Sequence, residues 1–171
     1  YGDKRVDKLL KIWKQIYKKT KQWELIIVGD GPERVDLERC VNRKKIERVK
    51  FVGYTNNVQS YYNDASILCL TSVYEGWPLC LSEAQANGVI PMAFDCTAGV
   101  HEMLSPSGIN GFLIPPFNLK KYAKTLLALM KDTEKQNAMR PGLIAKAAQY
   151  APEIIGEKWL NLFDSLLKDE K

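Results

Sequence analysis

Histidine is nearly missing from this chain. His101 is the only one in 171 residues. A zinc site built on imidazoles has no ligand set to draw on, because such sites need several His or Cys at short, fixed spacing. The four cysteines, Cys40, Cys69, Cys80 and Cys96, form no C-x-x-C pair. They read as buried, reduced thiols of a cytosolic protein, not as a disulfide framework or a metal knuckle. No cofactor and no metal is expected. No apolar run approaches the ~20 residues that span a bilayer. The opening Tyr1-Gly2-Asp3-Lys4-Arg5 is polar, so a cytoplasmic location is the expectation. Internal repeats, low-complexity tracts and interdomain linkers are also lacking. One absence bears on chemistry. From Phe51 to Leu119 there is neither Lys nor Arg. An anion bound by that stretch relies on backbone N–H groups, or on cations brought in from elsewhere in the chain.

The positive charge sits at the start. Residues 1–50 carry fifteen Lys/Arg and eight Asp/Glu, a net of +7, whereas residues 51–171 carry ten and twelve, a net of −2. Val6, Leu9, Leu10, Trp13, Ile16 and Tyr17 recur at helical spacing, the pattern of an amphipathic helix with one apolar stripe. Lys8, Lys11, Lys14 and Lys18 then fall mostly on its wet side. A solvated face is the plain reading. Contact with an anionic membrane surface, at the inner face of the membrane, comes next. No nucleic acid is expected, because no recognition motif is present and the aromatic residues do not interleave with the basic ones.

Short apolar runs rich in β-branched residues alternate with helical patterns. The strands predicted are Glu24–Val28, Val49–Val52, Ile67–Thr71, Val89–Phe94 and Gly111–Ile114. The helices predicted are Arg5–Lys19, Glu33–Lys45, Leu79–Asn87, Lys120–Lys131, Glu134–Gln149 and Glu153–Lys168. Val58–Tyr62 and Val100–Leu104 read as short turns. This alternation implies an α/β fold, a Rossmann-like parallel sheet with helices on both faces. A single domain of this length buries roughly 70% of its unfolded surface. Ligands of such sheets bind beyond the carboxyl ends of the strands. Four turns leave strands there: Gly29-Asp30-Gly31, Gly53-Tyr54-Thr55-Asn56, Ser72–Gly76 and Asp95–Gly99.

The most informative of these is Glu75-Gly76-Trp77-Pro78-Leu79-Cys80-Leu81-Ser82-Glu83. It sets two carboxylates eight residues apart, one in a loop and one inside the helix that follows. Pro78 suits the first helical position, and Asn87-Gly88 suits the far end. A helix start offers free N–H groups and a positive dipole end, which favour phosphate. Carboxylates repel phosphate but accept hydrogen bonds from hydroxyls. Together they suit a ligand that is part phosphate and part polyol, such as a nucleotide sugar. The plainer meaning is a pair of solvated helix-end glutamates.

Beyond spacing, Glu75-Gly76-Trp77-Pro78 followed by Leu81-Ser82-Glu83-Ala84-Gln85-Ala86-Asn87-Gly88-Val89-Ile90-Pro91 resembles the E-x7-E signature of the retaining group 1 glycosyltransferases. Leu25–Glu33 resembles that family's second strand and turn, Val49–Tyr54 its third strand, and Asn110–Pro116 the segment before its late helices. The resemblance implies the GT-B fold, two Rossmann-like domains facing across a cleft, of which residues 1–171 correspond to the C-terminal, donor-binding one. It implies sugar transfer from a UDP- or GDP-sugar with retention of configuration, in glycan, polysaccharide or glycolipid synthesis. By resemblance, Glu75 accepts from donor-sugar hydroxyls and helps hold the oxocarbenium-like centre, and Glu83 accepts from the ribose hydroxyls. Lys4 and the amides of Gly76, Trp77, Leu79 and Cys80 carry the diphosphate. Gly53, Tyr54 and Thr55 receive the base. Pro78 has no N–H and departs from an all-donor loop.

Two other readings stay open: a GT-B sugar-nucleotide epimerase, and a non-catalytic α/β nucleotide-binding or signalling module. The second is disfavoured as a receiver, since Thr71-Ser72 end the strand where a receiver places an Asp. The resemblance also implies a strand ahead of Lys4 and an N-terminal acceptor domain, neither of which these residues supply. Five strands with a break between the second-strand and fourth-strand equivalents are therefore expected, with Trp159 exposed on an apolar stripe of the last helix.

Overall fold

The computed structural model describes residues 2–169. Tyr1, Glu170 and Lys171, which the expected domain includes, lie outside the described residues. Five strands form where the apolar runs predict them: β1 (Leu25–Val28), β2 (Val49–Gly53), β3 (Ile67–Leu70), β4 (Ile90–Phe94) and β5 (Phe112–Ile114). Eight α-helices alternate with them or follow them: α1 (Val6–Ile16), α2 (Arg34–Arg43), α3 (Val58–Asp64), α4 (Leu79–Ala86), α5 (Ala98–Leu104), α6 (Leu119–Lys131), α7 (Thr133–Ala148) and α8 (Pro152–Asp169). Two of these correct the sequence reading. Val58–Asp64 and Ala98–Leu104 are seven-residue helices, where short turns were expected. Neither has an intrinsic pattern strong enough to announce it. Packing supplies the stability, as is usual for short helices: Tyr62 buries against Ala84 and Val89, and Val100, Met103 and Leu104 bury with Leu81 and Ala93.

Every strand pairing is parallel. β1 pairs with β2, and β3, β4 and β5 pair in that order. The two ladders are not hydrogen-bonded to each other, so the expected break falls between β1 and β3. β4 lies in the middle of its ladder and all five of its residues are buried, as a parallel strand covered on both faces should be. β1, by contrast, alternates half-buried and exposed residues, with Ile26 and Val28 open to solvent.

α1 buries Leu9, Leu10, Ile12, Trp13 and Ile16 and packs against α6, while Lys11, Lys14 and Lys18 stay exposed. That is the stripe read from the sequence. Burying a large apolar side chain in full contributes ~1.5–3 kcal/mol, so this face is what holds α1, and with it Lys4, onto the sheet. The Trp13 indole N–H donates to the Glu47 carbonyl at 3.0 Å. The buried Tyr122 hydroxyl donates to the Met92 carbonyl at 2.7 Å, tying α6 to β4. α8 presents Trp159 (54% exposed), Leu162, Phe163, Leu166 and Leu167 as the expected apolar stripe. Among the described residues, no helix is long and apolar enough to cross a membrane.

Candidate functional site

The site lies at the carboxyl edge of β3. Thr71 and Ser72 leave that strand, and both are buried. The Thr71 hydroxyl sits 3.1 Å from both the Lys4 and the Arg5 carbonyl oxygens. The Val73 amide donates to the Asp3 carbonyl at 2.8 Å. The segment ahead of α1 is thus fastened to the end of β3. Arg5 takes a left-handed conformation there, at φ 49°, and its guanidinium pairs with Asp7 at 2.9 Å. Lys4 is delivered to Glu75 by these contacts, its Nζ 2.6 Å from Glu75 Oε1.

Glu75 Oε1 also accepts from the Ser72 hydroxyl at 2.6 Å. One carboxylate oxygen is therefore held by a buried hydroxyl and a lysine, while Oε2 has no protein donor among the described residues. Glu83 repeats the arrangement. The Tyr62 hydroxyl donates to its Oε2 at 2.9 Å, and Oε1 has no protein donor among the described residues. Burial, followed by the bond to Glu83, pushes the Tyr62 hydroxyl well above its ordinary range, so it remains a donor at neutral and alkaline pH.

α4 begins at Leu79. Pro78 stands just ahead of it with extended backbone, and no side chain caps the helix. This corrects the expectation that Pro78 occupies the first helical position; its ψ of 97° is not helical. Among the described residues, the amides of Gly76, Trp77, Leu79 and Cys80 have no backbone acceptor in this loop. Uncapped amides at a helix start are a ready anion site. The Cys80 thiol lies among the charged groups. Burial is the main cause that pushes it up to about 11, with Lys4 lowering it and Glu75 and Glu83 raising it. Lys4 meets Glu75 just ahead of α4, and Glu83 stands within that helix.

The loop is braced from behind. Trp77 meets Tyr150 edge-on, with ring centroids 5.2 Å apart. A Cβ at Gly99 would overlap the Gly76 carbonyl oxygen and come within 3.4 Å of the Trp77 ring. Only glycine lets the start of α5 approach the Glu75–Trp77 loop so closely. Trp77 and Leu79 remain partly open to solvent.

Gly53, Tyr54 and Thr55 lie on the other ladder, at the end of β2. Gly53 has φ +84°, and its carbonyl accepts from the Gly29 amide at 2.8 Å. The Thr55 hydroxyl accepts from the Asn57 amide at 3.1 Å, and Tyr54 is largely exposed. Among the described residues, no hydrogen bond links this turn to Lys4, Glu75 or Glu83. Gly29-Asp30-Gly31 is a tight turn in which Asp30 accepts from the Gly31 amide and pairs with Arg34.

Sequence reasoning missed Thr71, Ser72 and Tyr62. Two hydroxyls at the end of an otherwise apolar strand are a signal for the first two. Tyr62 carries no such signal, since its role arises only when α3 packs on α4. His101 is exposed, and its Nδ1 lies 3.0 Å from Asp95 Oδ2, a contact that the sequence did not announce. All four cysteines are free and partly covered, not fully buried. The Cys69 thiol is pushed up to about 11 by burial.

The parallel sheets with helices on both faces are the Rossmann-like architecture of GT-B glycosyltransferases. The family model for glycosyl transferases group 1 matches residues 1–142, and the chain belongs to that family. An uncharacterized glycosyltransferase of Haemophilus influenzae is 37% identical over 160 residues, covering 93% of this chain and 45% of the relative. The poly(ribitol-phosphate) alpha-N-acetylglucosaminyltransferase of Staphylococcus aureus is 32% identical, covering 95% of this chain and 33% of the relative. The chain therefore spans half or less of the length of these relatives. Among solved structures, a mutant of S. aureus TarM in complex with Fondaparinux, alpha-GlcNAc-glycerol and UDP superposes with a TM-score of 0.88 at 29% identity, over 95% of this chain and 33% of that one.

Proposed function

We propose that these residues bind the donor in a retaining glycosyltransferase that moves a sugar from a UDP- or GDP-sugar to an acceptor. The observation that carries this reading is the pair of glutamates around the uncapped start of α4, each held on one oxygen and open on the other. Glu83 takes the ribose hydroxyls through its open oxygen. Glu75 takes a donor-sugar hydroxyl in the same way. The free amides of the loop hold the diphosphate, with Lys4 beside them. Gly53, Tyr54 and Thr55 face the base across the break between the ladders. As the glycosidic bond breaks, charge grows on the diphosphate, and the preset amides and Lys4 stabilise it where it forms. The negative charge of Glu75 favours the positive sugar centre left behind.

The acceptor site belongs to a second, N-terminal domain facing this one, and the open edges of β1 and β3 suit one further parallel strand between them. The acceptor belongs to glycan, polysaccharide or glycolipid synthesis. UDP is the nucleotide to try first, because it is the one bound in the 29% identical neighbour. The exposed lysines of α1 suit an anionic membrane surface, which would bring the protein to the inner face of the membrane.

Thermal shift of the intact protein against UDP, GDP, ADP and FMN tests the reading. A ligand at a hundred times its Kd stabilises by about 2.7 kcal/mol, which is readily seen. UDP or GDP should raise the melting temperature. A shift with FMN alone, or with no nucleotide, contradicts it.

A further inference from the structure

We infer that Tyr62 is a positioning residue for Glu83, and that it sets how strongly the site prefers a ribonucleotide to its 2′-deoxy form. The inference rests on the reading that Glu83 receives the ribose.

Glu83 is exposed on the outer side of α4. A glutamate in that position has three side-chain torsions and many rotamers to lose when it binds. Here one of its oxygens is held. Tyr62 Oη is 2.9 Å from Glu83 Oε2, and the tyrosine itself is fixed. It is only 8% exposed, and its ring packs into the cluster with Ala84 and Val89. Ala84 directly follows Glu83, so the anchor and the carboxylate share one rigid piece of the fold. A second, weaker acceptor for the hydroxyl is the Cys80 carbonyl at 3.5 Å. With Oε2 held, the carboxylate cannot rotate freely, and Oε1 is the oxygen left for a ligand. A hydroxyl pair on a ribose then meets an acceptor at a set place and angle, where hydrogen-bond strength is most sensitive. Burial and the bond to Glu83 raise the Tyr62 hydroxyl above its ordinary range, so it stays a donor at neutral and alkaline pH.

A neighbouring contact joins the same two helices without touching the carboxylate. Gln59 Nε2 on α3 donates to Asn87 Oδ1 at the end of α4. The Asn87 amide in turn donates to the Glu83 main-chain carbonyl at 2.9 Å. Gln59→Ala therefore loosens the α3–α4 contact and leaves Glu83 Oε2 held. It separates general loosening from loss of aim.

The experiment is calorimetric titration of the intact protein with UDP and with 2′-deoxy-UDP. It uses wild type, Tyr62→Phe and Gln59→Ala, with melting temperatures recorded alongside. A hydrogen bond to a charged acceptor predicts about a tenfold preference for UDP in wild type. Tyr62→Phe should bind UDP several-fold more weakly, bind 2′-deoxy-UDP almost as wild type does, and lower the preference to about twofold. Gln59→Ala should keep the wild-type preference. The inference is overturned if Tyr62→Phe keeps the wild-type preference, or if Gln59→Ala loses as much of it as Tyr62→Phe. In those cases the ribose reading stands, because wild type still discriminates. A wild type that binds both nucleotides equally overturns the ribose reading and the inference with it.

Discussion

Lys4 Nζ lies 2.6 Å from Glu75 Oε1, although the two are 71 residues apart in the chain. The lysine side chain is 61% exposed and the glutamate 11%. Exposed ion pairs contribute ~0–1 kcal/mol to stability, so this pair is better understood as a cation held beside a helix start than as a brace for the fold. The segment from Phe51 to Leu119 has no cation of its own. The buried Thr71 hydroxyl and the Val73 amide fasten the Lys4 segment to β3 and so supply one.

Lys4→Met should weaken UDP binding by about tenfold, the scale of one charge-assisted hydrogen bond. Binding of uridine, which lacks the diphosphate, should be unchanged, and so should the melting temperature. Calorimetry with both ligands checks this. An equal loss for uridine would mean that Lys4 shapes the pocket and does not carry phosphate.

Ser72→Ala removes the buried donor to Glu75 Oε1 and leaves Lys4 as its one partner among the described residues. The hydroxyl is small and replaced by a methyl, so the fold should lose only about 1 kcal/mol. Turnover of the intact enzyme should fall by about tenfold or more, because a freed carboxylate no longer meets the sugar at a set angle. UDP affinity should change little, since Glu75 is assigned to the sugar. Steady-state kinetics, with UDP inhibition measured in parallel, separates the two effects.

Gly99→Ala drives a methyl into the Gly76 carbonyl. A main-chain oxygen cannot step aside as a side chain can, so the Glu75–Trp77 loop must shift. Overpacking of this kind costs about 1–3 kcal/mol. Both UDP affinity and turnover should drop while circular dichroism stays that of the wild type. Unchanged kinetics would show that the α5–loop contact does not set the site.

Asp7 is pulled down from 3.8 to about 2, first by the hydrogen bond from Arg5, against the opposing effect of burial, with Lys11 adding to the pull. A depressed carboxylate contributes stability that is fully present above its unfolded value and lost as pH falls through its folded value. Wild-type stability should therefore fall between pH 3.8 and about 2. Asp7→Asn should be less stable than wild type above that window and converge with it below. Urea midpoints across an acid pH series would show the convergence; a constant gap down to the lowest pH would rule out the ion pair as its source.

Much of this molecule was legible before its structure. The five strands stand where short apolar runs alternate with helical stripes, because a parallel strand covered on both faces needs such runs. The α1 stripe from Val6 to Tyr17 was legible for the same reason. The break between β1 and β3 and the exposure of Trp159 were also foreseen. The short helices α3 and α5 were not, since seven residues have too little periodicity and are held by Tyr62 and by Val100, Met103 and Leu104. In the candidate site, Glu75, Glu83 and Lys4 could be named from the chain. What positions them could not. Tyr62 and Glu83 belong to different helices, Ser72 looks like any strand-end serine, and the fastening of Lys4 to Thr71 joins residues 67 positions apart. Contacts of that kind exist only in the folded chain.

The central claim is that Glu83 accepts from the ribose of a bound nucleoside diphosphate. Titration calorimetry of the intact protein with UDP, for wild type and Glu83→Gln, tests it most directly. A hydrogen bond to a charged group contributes about 1.5–3 kcal/mol, so Glu83→Gln should bind UDP about ten- to a hundredfold more weakly with an unchanged melting temperature. Equal affinity of the two proteins, with both folded, would contradict the account.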